Sequence, residues 1–416
     1  MGSVLARRDL RVIIGAEAVS MFGDQALWLA MGIWAKQLTG SNAAAGIVFF
    51  FFGIPTLFSP LSGMLVDRVR RRPLMIICEL SLAAAVLLLL LVHSRDQLWI
   101  IYIVIFGYGL AGTVTASARS ALLRTMVPDD DQLASVNGLL QTVREGMRLI
   151  APVAGAGLFA WLGGGAVAIL DAATFVVVAT GFLIVRVVEP KPHRTDAHWR
   201  AEITAGVAHL WRTLPLRQIT VATGIALLVV GFTETLVFAV ADQGLHRSAS
   251  FVGVLEAAMG VGAIAGGLTA GKAVQRYGET LVAAGGLVLF AAGSALLTVP
   301  LVGVVLPGMA VLGAGVPWLI VGLFTCLQRL TPNDLQGRTF SAVDVLVSTP
   351  QTVSIGVGAG LIAVVDFRLM LAIMVAVVLA SGVWLASRGR AARSGPAPQP
   401  VDPELAEPLA TSGGEG

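Results

Sequence analysis

The sequence predicts an all-α integral membrane protein, with twelve transmembrane helices in two six-helix pseudo-repeats around a central cavity. Three observations predict it. The 416 residues are 56% hydrophobic and only 13% charged, about half the charged fraction of a typical soluble domain. Apolar stretches long enough to cross ~30 Å of hydrocarbon recur along nearly the whole chain. The basic residues, finally, sort to one set of span ends.

The expected spans are 12–37, 43–66, 74–93, 98–124, 133–161 and 164–188, then 217–242, 250–274, 279–299, 303–328, 337–364 and 367–388. Arg7, Arg8 and Arg11 precede a full-length apolar segment, not a short one with a cleavage site, so the first span is expected to stay as a helix. These spans divide the chain into a first bundle over 1–188, a cytoplasmic linker over 189–216, a second bundle over 217–388 and a disordered cytoplasmic tail over 389–416. The tail is rich in Pro, Gly, Ala and Glu, a composition with too little apolar surface to fold. Within the linker, Ile203, Val207, Leu210 and Trp211 recur at helical spacing beside Arg200 and Arg212. That pattern predicts an amphipathic helix over 196–214 lying on the inner membrane face.

The 28 Lys and Arg test the topology. Lys36, Arg95, Arg247 and Arg368 fall at one set of ends, and Arg119, Arg144 and Arg148 lie deeper. All the others fall at the opposite ends, which are therefore expected to be cytoplasmic, with both termini inside a cell membrane. Pro55, Pro60, Pro152, Pro307, Pro317 and Pro350 fall within spans, where a membrane helix tolerates bending. Cys78 and Cys326 sit in apolar runs without a Cys/His cluster, so neither a disulfide framework nor a metal site is expected.

An internal repeat supports the two halves. At an offset of 204, Gly63 falls on Gly267, Arg68 on Lys272, Arg72 on Arg276, Pro128 on Pro332 and Asp130 on Asp334. One offset across two loops argues for parallel halves related by an axis along the membrane normal. Asp67 falls on Gly271, so the halves differ at that loop.

The loop Gly63-Met64-Leu65-Val66-Asp67-Arg68-Val69-Arg70-Arg71-Arg72-Pro73 lies between two apolar runs. It resembles the signature Gly-x-Leu-x-Asp-Arg-x-Gly-Arg-Arg between the second and third helices of the major facilitator superfamily, with Arg70 in place of the second Gly. Ala118-Arg119-Ser120-Ala121-Leu122-Leu123, with Val127-Pro128 and Asn137-Gly138-Leu139, resembles an exporter branch that includes siderophore exporters and macrolide efflux proteins. Leu170-Asp171-Ala172-Ala173-Thr174-Phe175 resembles the start of the sixth helix in that branch. Arg148 to Gly155 resembles the Gly-Pro-x-x-Gly motif of drug:proton antiporters, on Pro152 and Gly155 with Ala151 for the first Gly.

Ionisable residues within spans are candidate functional groups, because a charge at mid-membrane is costly unless paired or wet. Asp24 lies 13 residues past Arg11, ~20 Å along the helix and near the midplane. Arg148, 15 residues past Leu133, is placed ~22 Å deep by the same rise. If the first and fifth helices are neighbours, as the resemblance implies, Asp24 and Arg148 pair across the cavity. Arg144 and Glu145 share the polar face of Arg148, and this group is a candidate for proton coupling or cargo contact. Glu234 is the candidate counterpart in the seventh span. Asp344, six residues past Arg338, is placed near the inner mouth as a gating residue. Gly63, Asp67, Arg68, Arg72 and Arg119 complete the expected cytoplasmic gate, with Arg119 reaching Asp67 on closure and Asp67 at the start of the eleventh helix near Gly337. Glu17 and Glu79 are expected to be solvated or paired near basic ends, and Asp171 to make a helix-packing hydrogen bond. Phe22, Trp28, Met31 and Trp34 lie near Asp24 and more often face lipid or a neighbouring helix than cargo.

The leading functional reading is export of an amphipathic small molecule, an antibiotic or siderophore, by proton antiport with alternating access. An uptake permease for a polar solute and a non-transporting sensor or scaffold are the alternatives. An enzyme or ATP-driven pump is not expected: there is no Ser/His/Asp cluster and no phosphate-cradling Gly-Lys-Ser/Thr loop. The expected partners are the cargo, protons and the bilayer, with no cofactor, no metal and no nucleic acid, and the expected state is a monomer.

Overall fold

A computed structural model describes residues 7–58, 62, 65–66, 68–127, 129–185, 199–332 and 335–394. Among them the chain is helical throughout and contains no strand. In the first half, α1 is Arg8–Thr39, α2 Asn42–Gly53, α3 Arg71–Leu87, α4 Leu98–Met126, α5 Asp130–Leu162 and α6 Gly164–Ile184. The linker helix α7 is Trp199–Arg212. The second half holds α8 Leu214–Val230, α9 Thr233–Ala239, α10 Val252–Tyr277, α11 Glu279–Leu296, α12 Val302–Leu330, α13 Gln336–Leu361 and α14 Phe367–Ser394.

Among the described residues, nine helical stretches are long and apolar enough to cross a membrane. The expected second, fifth and eleventh spans correspond to α2, α5 and α13, and Asn42–Phe58 is apolar but shorter. Local signals explain the boundaries. The Ser41 side chain caps α2 by accepting from the Ala44 N–H, and Asp129 caps α5 through the Gln132 N–H at 2.8 Å. Gly163, the one residue between α5 and α6, has φ +78°, a conformation that a Cβ would strain. The expected seventh span is broken: α8 ends at Val230, and α9 continues into a π turn over Val240–Gly244.

Small residues let the helices approach closely, as membrane packing requires. Gly286 lies against Gly315 and Gly293 against Gly308 where α11 crosses α12. A Cβ on Gly155 of α5 would stand 2.6 Å from the Ala26 Cα of α1, so the Gly of the antiporter-like motif sets the α1–α5 spacing.

Two faces are distinguishable by the chain ends. The proximal face carries the start of α1, the 68–72 arginines and α7; the distal face lies at the other end of α1. Contacts between the halves gather toward the distal face. Gly46 of α2 lies against Thr235 and Ala359, and Gly253 of α10 against Ala156 and the Pro152 carbonyl. Phe49 and Phe238 have ring centroids 6.0 Å apart, and Lys36 at the end of α1 pairs with Asp242 at 2.8 Å. At the proximal face, Arg7 and Arg72 bond within the first half. Arg7 donates to the Met126 carbonyl at 2.8 Å, and Arg72 to those of Phe182 and Leu183 at 2.7 and 2.9 Å.

Two expectations need correction. The linker helix does not lie free on a membrane face: Gly206 packs against the Arg338 backbone of α13, Leu210 is fully buried, and the His209 ring bonds the Leu330 carbonyl at 3.2 Å. Leu210 of its apolar stripe is thus covered by protein, whereas Trp211 stays 46% exposed. The last helix also continues past 388 to Ser394, because Ala391 and Ala392 beside Arg390 and Arg393 are good helix formers. The expected disordered tail from 395, the linker from 186 to 198 and the side chain of Ile203 lie outside the described residues.

Candidate functional site

The first half buries a cluster of four carboxyl groups. Glu17 and Asp24 of α1 are seven residues apart, two turns along one helix face. Glu79 comes from α3 and Asp171 from α6, while α4 contributes Tyr108 and Arg119, three turns apart. Close packing of α1 on α6 permits the assembly: a Cβ on Gly23 would stand 2.6 Å from the Thr174 hydroxyl.

Tyr108 joins two of the acids. Its hydroxyl donates to Asp24 Oδ1 at 2.5 Å and lies 3.5 Å from Asp171 Oδ2. One hydroxyl proton serves one acceptor at a time, so these carboxyls share a single donor. Phe175 meets the Tyr108 ring edge-on at 5.6 Å and fixes it. Asp171 has no exposed surface, and Thr174 of its own helix stands 3.4 Å from its other oxygen. The expected packing hydrogen bond of Asp171 is therefore present, and it reaches toward Asp24 as well.

Glu17, 4% exposed, forms an ion pair with Arg119. Asp24 feels the charges of Glu17, Arg119 and Arg144. Glu79, 6% exposed, points Oε2 into the interior with no hydrogen-bond partner among the described residues. It lies in the field of Glu17, Asp24 and Arg119. Four acids thus crowd a buried volume with two neighbouring guanidinium groups, one of them, Arg144, exposed. An unpaired charge in such a place is expensive, so protons or a cation can be exchanged there.

A second group spans the halves. Arg148 of α5 is exposed, and its charge acts on Glu234 of α9 and Glu256 of α10, both half-buried. The expected Asp24–Arg148 pair is therefore corrected: Asp24 is held by Tyr108, and Arg148 faces carboxylates of the other half. Depth along each helix was readable from sequence, but the direction each side chain faces was not.

The remaining candidates fall as follows. Pro152 is buried within α5, with its carbonyl against Gly253. Arg68 is exposed, and Arg72 ties α3 to the end of α6. Asp344 is exposed, with the Ser348 hydroxyl 3.4 Å away. Arg119 is held by Glu17. Its expected partner Asp67, together with Gly63 and the Glu145 side chain, lies outside the described residues. The Trp28 ring lies tilted against Phe49 with centroids 4.5 Å apart, and Met31 is fully buried, so both face neighbouring helices.

Four participants were missed in the sequence. Glu17 and Glu79 were expected to be solvated or paired near basic ends: Glu17 is paired with Arg119 but buried, and Glu79 is buried with Oε2 unpartnered among the described residues. Glu256, a lone carboxylate four residues into α10, lies too near the span end to carry a mid-membrane signal. Tyr108 offered no signal, because a tyrosine in an apolar span is ordinary until its neighbour is known.

A family model described as Major Facilitator Superfamily matches residues 13–243 and again 221–411. Macrolide efflux protein A of Streptococcus pyogenes is 26% identical over 231 residues, 54% of this chain and 55% of that protein. Macrolide efflux protein A of Enterococcus faecalis is 27% identical over 186 residues, 44% of this chain and 55% of that protein. The chain thus spans about half the length of the curated relatives it matches. Among solved structures, a bacterial homologue of the iron transporter ferroportin in an inward-facing state superposes with a TM-score of 0.70 at 15% identity, covering 92% of this chain and 98% of that one. The nucleoside transporter NupG superposes with a TM-score of 0.69 at 13% identity, covering 94% and 100%. At such identities the likeness is one of fold.

Proposed function

Because the chain belongs to the major facilitator superfamily and is a multi-pass membrane transporter, we propose that it exports an amphipathic small molecule by proton antiport, with alternating access between twelve-helix states. The carboxyl cluster of Glu17, Asp24, Glu79 and Asp171 carries this reading. A site with more acids than cations is neutral only when it holds protons or a cationic cargo. Protons entering from outside and cargo leaving from inside then compete for the same negative charge. Tyr108 positions Asp24, and Arg119 holds Glu17 in register. The partial matches to macrolide efflux proteins and the helix-5 motif at Pro152 and Gly155 support export over uptake. Arg148, facing Glu234 and Glu256, senses the separation of the halves.

Orientation follows from charge. The proximal face bears Arg68, Arg70, Arg71 and Arg72, so we place it in the cytoplasm of a cell membrane, with both termini inside. Closure at the distal face then corresponds to an inward-facing state.

The test is efflux from a drug-sensitive bacterium lacking its own pumps. Expression should lower cellular accumulation of a macrolide, and a proton uncoupler should abolish the difference. Asp24→Asn and Glu79→Gln should each remove the uncoupler-sensitive component at unchanged membrane expression. If Asp24→Asn keeps full uncoupler-sensitive efflux, proton coupling through this cluster is wrong. If cells accumulate the compound faster, the uptake alternative holds.

A further inference from the structure

We infer that the second half carries a separate binding site for the headgroup of an anionic phospholipid of the proximal leaflet. Where α7 turns into α8, Trp211, Leu214, Arg217 and Gln218 face Trp384 and Arg388 of α14 across a cleft of about 320 Å³. It is built entirely from the linker helix and the second half, away from the carboxyl cluster.

The chemistry of this cleft selects an acidic amphiphile. Among the described residues, its two charged side chains are both guanidinium groups and no acidic residue lines it. Arg217 reaches the Trp211 carbonyl at 3.4 Å, a long bond that leaves most of its donor fork open. Arg388 rests 5.8 Å from the centroid of the Trp384 ring. Neither has a carboxylate partner among the described residues. Two planar forks across a cleft match the oxygens of a phosphodiester, which each can take bidentately.

The walls select a lipid over a soluble phosphate. Trp211, Leu214 and Trp384 are 46%, 52% and 39% exposed. Apolar exposure continues along both helices, through Ile225 and Leu228 on α8 and Val383 and Leu379 on α14. A headgroup in the cleft therefore leaves its acyl chains on an apolar track. Paired indoles at span ends mark the interfacial level, and basic pockets between helices at the cytoplasmic face suit acidic headgroups. The occupant bridges α7, α8 and α14, pinning the linker helix to the second half.

Native mass spectrometry of the full chain, released from nanodiscs of mixed phosphatidylglycerol and phosphatidylcholine, tests this. The wild type should retain phosphatidylglycerol over phosphatidylcholine, and Arg217→Gln/Arg388→Gln should cut that preference by roughly thirtyfold, given two basic contacts. An unchanged thermal midpoint of the variant in phosphatidylcholine discs controls for folding; if the midpoint falls, the Arg→Lys pair is used, which should keep a reduced preference. Equal retention by wild type and variant overturns the proposal. So does full displacement by glycerol 1-phosphate, which would make the site one for soluble phosphates. A gain of phosphatidylglycerol on removal of residues 395–416, which hold Asp402, Glu404 and Glu407, would make the chain's own acidic tail the occupant and also overturn it.

Discussion

Replacing Lys36 with Met should open the distal face. Lys36 donates to Asp242 of the other half at 2.8 Å and also bonds the Asn42 side chain. Its side chain is 9% exposed, whereas that of Asp242 is 48% exposed. A charge-assisted hydrogen bond contributes about 1.5–3 kcal/mol, but the free carboxylate can rehydrate, which discounts the loss. About 1–2 kcal/mol of distal closure is therefore at stake, or roughly a 5- to 30-fold change in the closed-to-open ratio. Methionine keeps the aliphatic stem, so packing changes little. Spin labels at Arg95→Cys and Leu301→Cys, both exposed at the distal face, would report the separation in a protein with Cys78 and Cys326 replaced. The long-distance population should grow in Lys36→Met and at least as much in Asp242→Asn, which leaves the buried ammonium without its carboxylate. The double variant should fall well short of the sum, since both remove one interaction. An unchanged distance distribution in Lys36→Met, or strictly additive shifts, would refute the idea that this pair latches the halves.

Three further outcomes follow from the same contacts. Arg119→Gln leaves Glu17 buried and unpaired, so thermal stability in detergent should fall by about 3 kcal/mol, and adding Glu17→Gln should recover most of the loss. Gly155→Val forces α5 away from Ala26 and should cost about 1–3 kcal/mol, whereas Gly157→Val, with open space around it, should be nearly silent in the same melts. Gly206→Leu should undock α7 from Arg338, seen as faster tryptic cleavage at Arg212 with the apolar spans still intact.

What could be read from the sequence was what depends on one helix at a time. Span order, the bias of Lys and Arg and the depths of Asp24 and Arg148 follow from rise per residue and composition. The site itself depends on which helix faces which. Tyr108 becomes a partner for Asp24 only because α4 and α6 enclose α1, and Arg148 acts on Glu234 and Glu256 because α5, besides packing on α1, also meets α10 of the other half. The break after Val230 was equally hidden, since Gly231 in an apolar run is tolerated within many membrane helices. The burial of Glu17 and Glu79 is likewise not legible, because proximity to a basic span end allows pairing, as Glu17 finds with Arg119, but does not reveal whether neighbouring helices cover the site.

The joint at Gly163 has a mechanical consequence. With a single residue between them, α5 and α6 cannot slide independently, so a tilt of one is imposed on the other. Arg148 rides on the first arm, against the opposite half, and Asp171 on the second, beside Tyr108. On the proposed reading, any movement of α5 against the second half would therefore reach the buried acids through the backbone at Gly163, without any intervening wire of side chains.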